Sequence, residues 1–174
     1  LGALAPSVPD LRLGLLVGGN AYQHPGVVAN MALTLDHVFG GRTVPGLGRL
    51  ADQQSSAAWH RVAVGQDPLR HARGSGGVVP CRVRRRWAVG RLRGERYTLT
   101  QMSVHPAPVN GTIPIMIGGA GHRRTLRAVA RSADEWNAWG RPVTIAGHLE
   151  VLPSRCEVEG RSFDDLHLTA VGLL

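Results

Sequence analysis

A run of small residues after an apolar strand is the part of the sequence best suited to chemistry. Residues 118–121, Gly-Gly-Ala-Gly, follow the β-branched apolar run 113–117 and precede two arginines. Apolar residues then recur at three- to four-residue spacing, as on one face of a helix. Small residues leave backbone N–H groups uncovered, and the positive end of the helix dipole lies at the same place, so the pattern predicts a phosphate site. Its candidate residues are Gly118, Gly119, Ala120, Gly121, Arg123 and Arg124.

The glycine pattern departs from the two common nucleotide-binding motifs. The dinucleotide fingerprint G-x-G-x-x-G would need a third glycine where the chain has Arg124. A P-loop needs Gly-Lys-Ser/Thr, and the 20 Lys and Arg residues of this chain are all arginines. A Gly-Gly turn is often only a tight connection, so a purely structural turn is the alternative to a phosphate site.

Strands and helices alternate along the sequence around this turn. An apolar strand is indicated at residues 11–17, and Gly18, Gly19 and Asn20 end it. A helix is expected from His24-Pro25 to a left-handed stop at residues 40–41. The expected buried face of this helix comprises Val28, Met31, Leu35 and Val38. The alternation predicts the α/β class, with a parallel sheet and helical crossovers.

Three stretches of the sequence resemble the luciferase-like monooxygenase superfamily, most closely its branch that uses the deazaflavin coenzyme F420. Residues 114–140, PIMIGGAGHRRTLRAVARSADEWNAWG, are similar to a family strand, its Gly-Gly phosphate turn, an Arg-Thr-Leu helix start and an Ala-Asp-x-Trp-Asn strand. Residues 11–42 are similar to the family's third strand and its third helix, which ends in Gly-Gly-Arg. Residues 149–160 are similar to a late helix that usually ends with Cys-x-x-x-Gly-Arg. The matches follow the family's order along the chain.

The resemblance implies a TIM (β/α)8 barrel, in which the active site lies at the carboxyl ends of the strands. Such barrels usually need about 250 residues, whereas the chain has 174. With residues 11–17 as the third strand and residues 166–174 as the penultimate one, the first two strands and the last have no counterpart. We therefore expect a partial barrel of the bacterial-luciferase-like type. Its sheet edges would be covered in a homodimer or by another partner.

The resemblance also implies an activity. F420-dependent members of the family transfer a hydride between the deazaflavin ring and a small organic substrate, while the protein holds and orients the cofactor. FMN is the alternative cofactor, in an FMN-dependent monooxygenase, because the same turn serves its phosphate. The competing class is a non-catalytic remnant or pseudoenzyme that folds only with a partner. In this family Leu16, Val17 and Asn20 would line the ring, and the Leu16–Val17 bond matches a frequent position of a cis peptide.

Three residues are candidates for catalysis. His24 would follow the third strand and face the substrate, but as the residue before Pro25 it also shapes the helix start, and that structural role is favoured. Asn20 has the same two interpretations. Trp136 would end a strand on the active-site face, where it either stacks near the deazaflavin or belongs to the core. The sequence leaves this choice open.

The positive charge of the chain is concentrated in its middle. The net charge is +8, and residues 42–96 contain 12 arginines and three acidic residues. We predict one domain, 1–174, with the third strand, third helix and fourth strand at 11–48 and the later elements at 93–174. A hairpin of the family resumes near residues 93–97. Between them, residues 49–92 form a divergent Arg-rich segment, which we interpret as the product of compensating frameshifts in a GC-rich gene or of gene degeneration.

Composition and motifs argue against several classes of partner. The Arg-rich segment lacks a nucleic-acid-binding fold, which favours non-specific adhesion to polyanions. Cys81 and Cys156 match neither a zinc site nor a disulfide framework, which indicates a reduced, cytoplasmic setting. The eight histidines lack metal-binding spacing, and residues 1–10 resemble neither a signal peptide nor a membrane span. We therefore expect no metal, no membrane partner and no specific nucleic acid.

Overall fold

A computed structural model describes residues 2–19, 25–48, 90–93, 98–102, 106–121 and 125–172. Four of the predicted site residues lie outside these ranges, as does most of the Arg-rich segment 49–92. The four are Asn20, His24, Arg123 and Arg124.

The described elements alternate between strands and helices from residue 116 onward. In order they are a 3-10 turn at Gly2–Ser7, β1 (Leu13–Gly14), β2 (Gly18–Gly19), α1 (Pro25–Val38), β3 (Thr43–Val44), β4 (Gly46–Gly48), β5 (Gly90–Arg93), β6 (Thr98–Met102), β7 (Met116–Gly118), α2 (Thr125–Ser132), β8 (Glu135–Trp139), α3 (Pro142–Val158), a 3-10 turn at Phe163–Asp165 and β9 (His167–Val171). Strands β5 and β6 pair as an antiparallel hairpin where the sequence predicts one. No helix within the described ranges is long and apolar enough to cross a membrane.

A five-stranded parallel sheet forms the centre of the fold, in the order β2-β4-β7-β8-β9. This confirms the predicted α/β class. Strand β7 begins three residues later than the apolar run that predicted it, because the backbone of Ile115 is hydrogen-bonded to residues 134 and 135. The N–H of Ile115 donates to the Asp134 carboxylate, and its carbonyl accepts from the N–H groups of Asp134 and Glu135. Ile115 thereby anchors the start of β8 beside β7.

The strand pair at one side of the sheet contains an irregularity of one residue. Leu13 of β1 pairs with Thr43 of β3, and Gly18 of β2 pairs with Leu47 of β4. The segment that joins β1 to β2 therefore has one residue more between the two pairings than the segment that joins β3 to β4. An extra residue on one strand is a bulge, which re-aims the neighbouring side chains. The bulge contains the cis peptide bond Leu16–Val17, at the position that the family resemblance implies.

Helices α2 and α3 pack against one face of β8 and enclose the main core. Its buried residues are Leu126, Val129, Ala130, Ala133, Trp136, Ala138, Leu152, Cys156 and Leu166. Burial raises the pKa of the Cys156 thiol, and the nearby guanidinium of Arg161 opposes this shift. A buried thiol with a raised pKa is chemically inert, so Cys156 is a packing residue.

Helix α1 buries a different face from the one that the sequence predicts. Met31 and Val38 are 45% and 51% exposed, whereas Leu33 packs in a second small cluster with Ile113. The helix is also oriented by Asp36, which is buried and whose carboxylate accepts a hydrogen bond from the N–H of residue 109. The predicted stop is confirmed, since residues 40 and 41 have φ of 59° and 83°.

Arg161 caps the carboxyl end of α2. Its guanidinium donates to the carbonyls of Val129, Ala130 and Ala133, at 3.5, 3.2 and 2.8 Å. The last carbonyls of a helix have no partner within the helix, and a cation there also interacts favourably with the helix dipole. Arg161 therefore joins the loop after α3 to the end of α2.

We expect Arg161→Ala to lower the free energy of unfolding by about 1–2 kcal/mol, because three carbonyls lose a charged donor. Urea denaturation of the purified chain measures this. Arg141→Ala, which removes an exposed arginine that caps no carbonyl, is the control and should change stability by less than about 0.5 kcal/mol. Equal effects of the two substitutions would contradict the capping role.

Candidate functional site

The main sheet has one face covered by helices and one face directed away from them. Trp136 and Ala138 of β8 belong to the helix-packed core, so the alternating residues Glu135, Asn137 and Trp139 lie on the opposite face. We call this opposite face the inner face. In a closed barrel of parallel strands the corresponding face points to the interior, and its carboxyl end is the usual place for a site.

Three glycines on the inner face form a seat for the side chain of Val17. A Cβ atom built on Gly118 would lie 2.6 Å from Val17 Cγ1, one on Gly48 would collide with Val17 Cγ2, and one on Gly46 would collide with the Leu15 carbonyl oxygen and lie 3.2 Å from Val17 Cγ1. Side chains at these three positions would collide with or crowd the valine. The inner face of β4 and β7 therefore presents bare backbone with one aliphatic group, Val17, resting on it.

The turn after β7 is held in place by β8. Gly119 has φ of +121°, a conformation that favours glycine. Its N–H donates to the Asn137 carbonyl at 3.1 Å, and its carbonyl accepts from Trp136 Nε1 at 2.9 Å. Both backbone groups of Gly119 are therefore used for structure rather than left for a ligand.

The rest of the turn leads into α2 and leaves two donors. The Gly121 carbonyl accepts from the N–H groups of Thr125 and Leu126, at 3.1 and 3.2 Å, which satisfies two donors of the helix start. Within the described ranges, no residue accepts from the N–H groups of Ala120 and Gly121. These two donors lie at the positive end of the α2 dipole, so the turn fits a phosphate.

Asn137 is a polar residue of the inner face that the sequence analysis does not select. It is the register partner of Gly118 on β7 and of Thr169 on β9, and the residue is only 7% exposed. Its Nδ2 donates to Thr169 Oγ1 at 2.8 Å. The signal in the sequence is the alternation in Glu-Trp-Asn-Ala-Trp, since a strand that buries Trp136 against helices turns Asn137 to the other face.

The opposite, amino-terminal end of the inner face is closed by an ion pair. The guanidinium of Arg12, before β1, donates to the carboxylate of Glu135, which is 5% exposed. A buried carboxylate needs such a partner. The described His, Cys, Asp and Glu residues form no group suited to a metal ion.

The structure brings together the predicted residues that it describes, with one exception. Leu16 is 58% exposed beside Val17, whose side chain touches the β7 residue Gly118 that opens the turn. Trp136 is the exception, because it is 1% exposed and lies in the helix-packed core, with its ring 6.2 Å from that of His148 in a T-shaped contact. This position favours the core role of the two that the sequence left open for Trp136.

Known proteins share this sequence pattern and fold. A sequence profile of luciferase-like monooxygenases matches residues 1–173. An uncharacterised protein of Mycobacterium tuberculosis is 27% identical over 175 residues, which span 92% of this chain and 56% of that protein. Among solved structures, the coenzyme F420-dependent tetrahydromethanopterin reductase from Methanopyrus kandleri matches with a TM-score of 0.70 and 17% identity, over 97% of this chain and 52% of that one.

A second solved structure contains a different cofactor. The oxygenating constituent of 3,6-diketocamphane monooxygenase from Pseudomonas putida, in complex with FMN, matches with a TM-score of 0.63 and 16% identity, over 96% of this chain and 51% of that one. The chain therefore spans about half the length of the proteins it matches. The likeness confirms the predicted fold class, a partial TIM barrel of the luciferase-like type.

The contact between Val17 and the glycines can be tested with a double-mutant cycle. Gly118→Ala should cost about 1–3 kcal/mol of stability, as overpacking does, because its new Cβ meets Val17. In a Val17→Ala background that cost should fall below about 0.5 kcal/mol, because the nearest remaining atom, Val17 Cβ, is 3.6 Å away. Urea denaturation of the unmodified chain and of the three variants gives the coupling free energy between the two positions.

Gly48→Ala is the matched control for this cycle. A Cβ on Gly48 collides most closely with Val17 Cγ2, which Val17→Ala removes, but it also lies 3.0 Å from Val17 Cβ and 3.3 Å from the Gly118 carbonyl oxygen, which both remain. Its cost should therefore fall in the Val17→Ala background but stay above that of Gly118→Ala, whose nearest remaining atom is 3.6 Å away. If the costs of Gly118→Ala and Val17→Ala simply add, Val17 does not occupy the seat.

Proposed function

This chain belongs to the luciferase-like monooxygenase family, and we propose that it is part of an F420-dependent oxidoreductase that transfers a hydride to or from a small organic substrate. The observation that carries the proposal is the placement of the phosphate turn beside the bare inner face of β4 and β7. A ligand that combines a phosphate with a planar ring would use both surfaces together. F420 and FMN are such ligands.

The residues of the chain have distinct parts in this proposal. The N–H groups of Ala120 and Gly121 bind the phosphate, assisted by the guanidinium groups of Arg123 and Arg124. Leu16, Val17 and Asn20 line the ring. When bound, F420 supplies the group that gives or accepts the hydride, while the chain binds and orients it.

The position of the proposed phosphate site depends on the Asn137 carbonyl and the Trp136 indole. Trp136 Nε1 and the Asn137 carbonyl hold Gly119, so the next two N–H groups are preset before any ligand arrives. A preorganised donor pair loses little conformational entropy on binding, which favours affinity. Trp136 thus acts on the cofactor indirectly, as a positioning residue. His24 and Asn20 remain the candidates for contact with the substrate.

An FMN-dependent monooxygenase is the second candidate function. It is favoured by the fold likeness to an oxygenating enzyme in complex with FMN. The turn offers the same two N–H groups to either phosphate, so the described residues do not discriminate between the cofactors. The choice of F420 as the proposed cofactor follows from the sequence resemblance.

A non-catalytic remnant of the family is the third candidate. It is favoured by the open edges of β2 and β9, each of which pairs on only one side among the described strands. Leu168 and Val171 of β9 are each 40% exposed, as expected where further barrel structure would pack. A homodimer or another partner is proposed to cover these edges, and the cytoplasmic setting remains a prediction.

Equilibrium binding separates these candidates. We expect the purified chain to bind F420 and FMN saturably in a fluorescence titration, with a raised melting temperature. Riboflavin has the ring of FMN without its phosphate, and it should bind about 10- to 100-fold more weakly, because charge-assisted hydrogen bonds are lost. Equal affinity for FMN and riboflavin would contradict the phosphate site. If none of the three ligands binds, the non-catalytic remnant is the candidate that remains. Bleaching of bound F420 on addition of candidate substrates then tests hydride transfer.

Gly121→Ala should weaken FMN binding by about tenfold and leave riboflavin binding nearly unchanged. The new Cβ would lie 2.9 Å from Thr125 Oγ1, so the turn has to shift and its donors move from the phosphate. Gly147→Ala is the control, since a Cβ on this helical glycine meets nothing within 4 Å. The control should bind FMN normally and be about 0.5–1 kcal/mol more stable. If both ligands weaken equally, the turn serves the fold alone.

A further inference from the structure

We propose that Asn137 is a binding residue for the ring of the ligand, accepting a hydrogen bond at its Oδ1 atom from an N–H on the ring edge. The inference rests on the proposed function, because it concerns the same site and a planar cofactor. It adds a specific acceptor and a specific chemical requirement on the ligand, which is an unsubstituted ring N–H.

Asn137 lies in the same row of the sheet as the glycine seat. Its register partner on β7 is Gly118, the glycine whose Cβ position faces Val17. Residues paired in register share a face, so Asn137 and Gly118 both lie on the inner face, and the Val17 side chain rests against that face at Gly118. The seat side of this row has no polar side chain, whereas the β8 and β9 side carries the Asn137 amide and the Thr169 hydroxyl. A ring resting beside Val17 therefore has this amide at its edge.

A hydrogen-bond relay determines which end of the amide is free. Thr169 Oγ1 donates to the Trp136 carbonyl at 3.3 Å, which uses its only proton. The hydroxyl can then only accept from Asn137, so it takes a proton from Nδ2 at 2.8 Å. This directs Nδ2 toward β9 and leaves Oδ1 as the outward atom. The relay thus makes Asn137 an oriented acceptor rather than an adaptable amide.

The free acceptor is directed to the inner face and not to a neighbouring side chain. Asn137 as a residue is 7% exposed, and none of the described residues donates to Oδ1. Because Nδ2 is already bonded to Thr169, Oδ1 is the amide atom that remains for a bound ligand. A ligand N–H would satisfy it. Flavins and deazaflavins carry one such group, the N3–H between two ring carbonyls.

Methylation of the ring N–H tests the inference without altering the protein. The probes are FMN and N3-methyl-FMN, which share the phosphate and the ring. The chain should bind FMN about tenfold more tightly than its methylated form, since methylation removes the donor that Oδ1 requires. Equal affinities for the two ligands would overturn the inference while leaving the proposed function in place. Absence of binding by both flavins and also by F420 would overturn both.

Three variants assign the effect to Asn137. Asn137→Ala should weaken FMN binding about tenfold and hardly change binding of N3-methyl-FMN, so the preference between the ligands is lost. Asn137→Asp retains an acceptor and should retain the preference. Thr169→Val removes the relay while keeping Asn137, and should reduce the preference about threefold, because the amide can then rotate. A loss in Asn137→Ala that is equal for both ligands would show a structural role instead.

Thermal melts of the same variants guard against a folding artefact. Should Asn137→Ala fail to melt cooperatively, the ratio of affinities in Thr169→Val and Asn137→Asp decides the matter. If Thr169→Val keeps the full preference for FMN over N3-methyl-FMN while Asn137→Asp loses this preference, the assignment of Oδ1 as an oriented acceptor is overturned. The reverse pattern would support it.

Discussion

The hydrogen bond from the Trp136 indole to the Gly119 carbonyl is the contact on which the site depends. Strand β8 buries Trp136 among the helices, and the indole N–H needs an acceptor once it is buried. That acceptor is the turn after β7, and the neighbouring Asn137 carbonyl takes the other polar group of Gly119. The main core and the turn after β7 are therefore connected directly, and a change in the packing of α2 or α3 on β8 would move the N–H groups of Ala120 and Gly121.

A steric constraint acts on the other side of the site. The bulge in the first strand aims Val17 at β4 and β7, and the three glycines there leave room for it. Glycine is unfavourable inside a strand, because it loses more backbone entropy than other residues and has no side chain to pack. Its repeated use on one face makes sense when another group must approach the backbone closely. At Gly48 and Gly118 that group is Val17, at Gly46 it is chiefly the Leu15 carbonyl, and in the proposed function the ring lies beside Val17.

The parts that sequence reasoning placed well are those governed by local chemistry. The α/β alternation, the left-handed glycines after α1 and the Gly-Gly turn between a strand and α2 all follow from the conformations that neighbouring residues allow. The hairpin formed by β5 and β6 was predicted from the family resemblance. The buried face of α1 and the start of β7 were predicted wrongly. In both places a hydrogen bond to a distant residue, through Asp36 to residue 109 and through Ile115 to Asp134, overrode the apolar pattern.

The sequence by itself therefore determined the class of fold, the family and the glycine-rich turn between β7 and α2, because small residues, strand patterns and helix starts act over a few positions. Only the tertiary structure decided which of those residues remain available. It assigned Trp136 to the core, committed both polar groups of Gly119 to β8, and turned the Asn137 amide toward the inner face through Thr169. These outcomes depend on the register of neighbouring strands, and a shift of one residue in that register would exchange the two faces of β8.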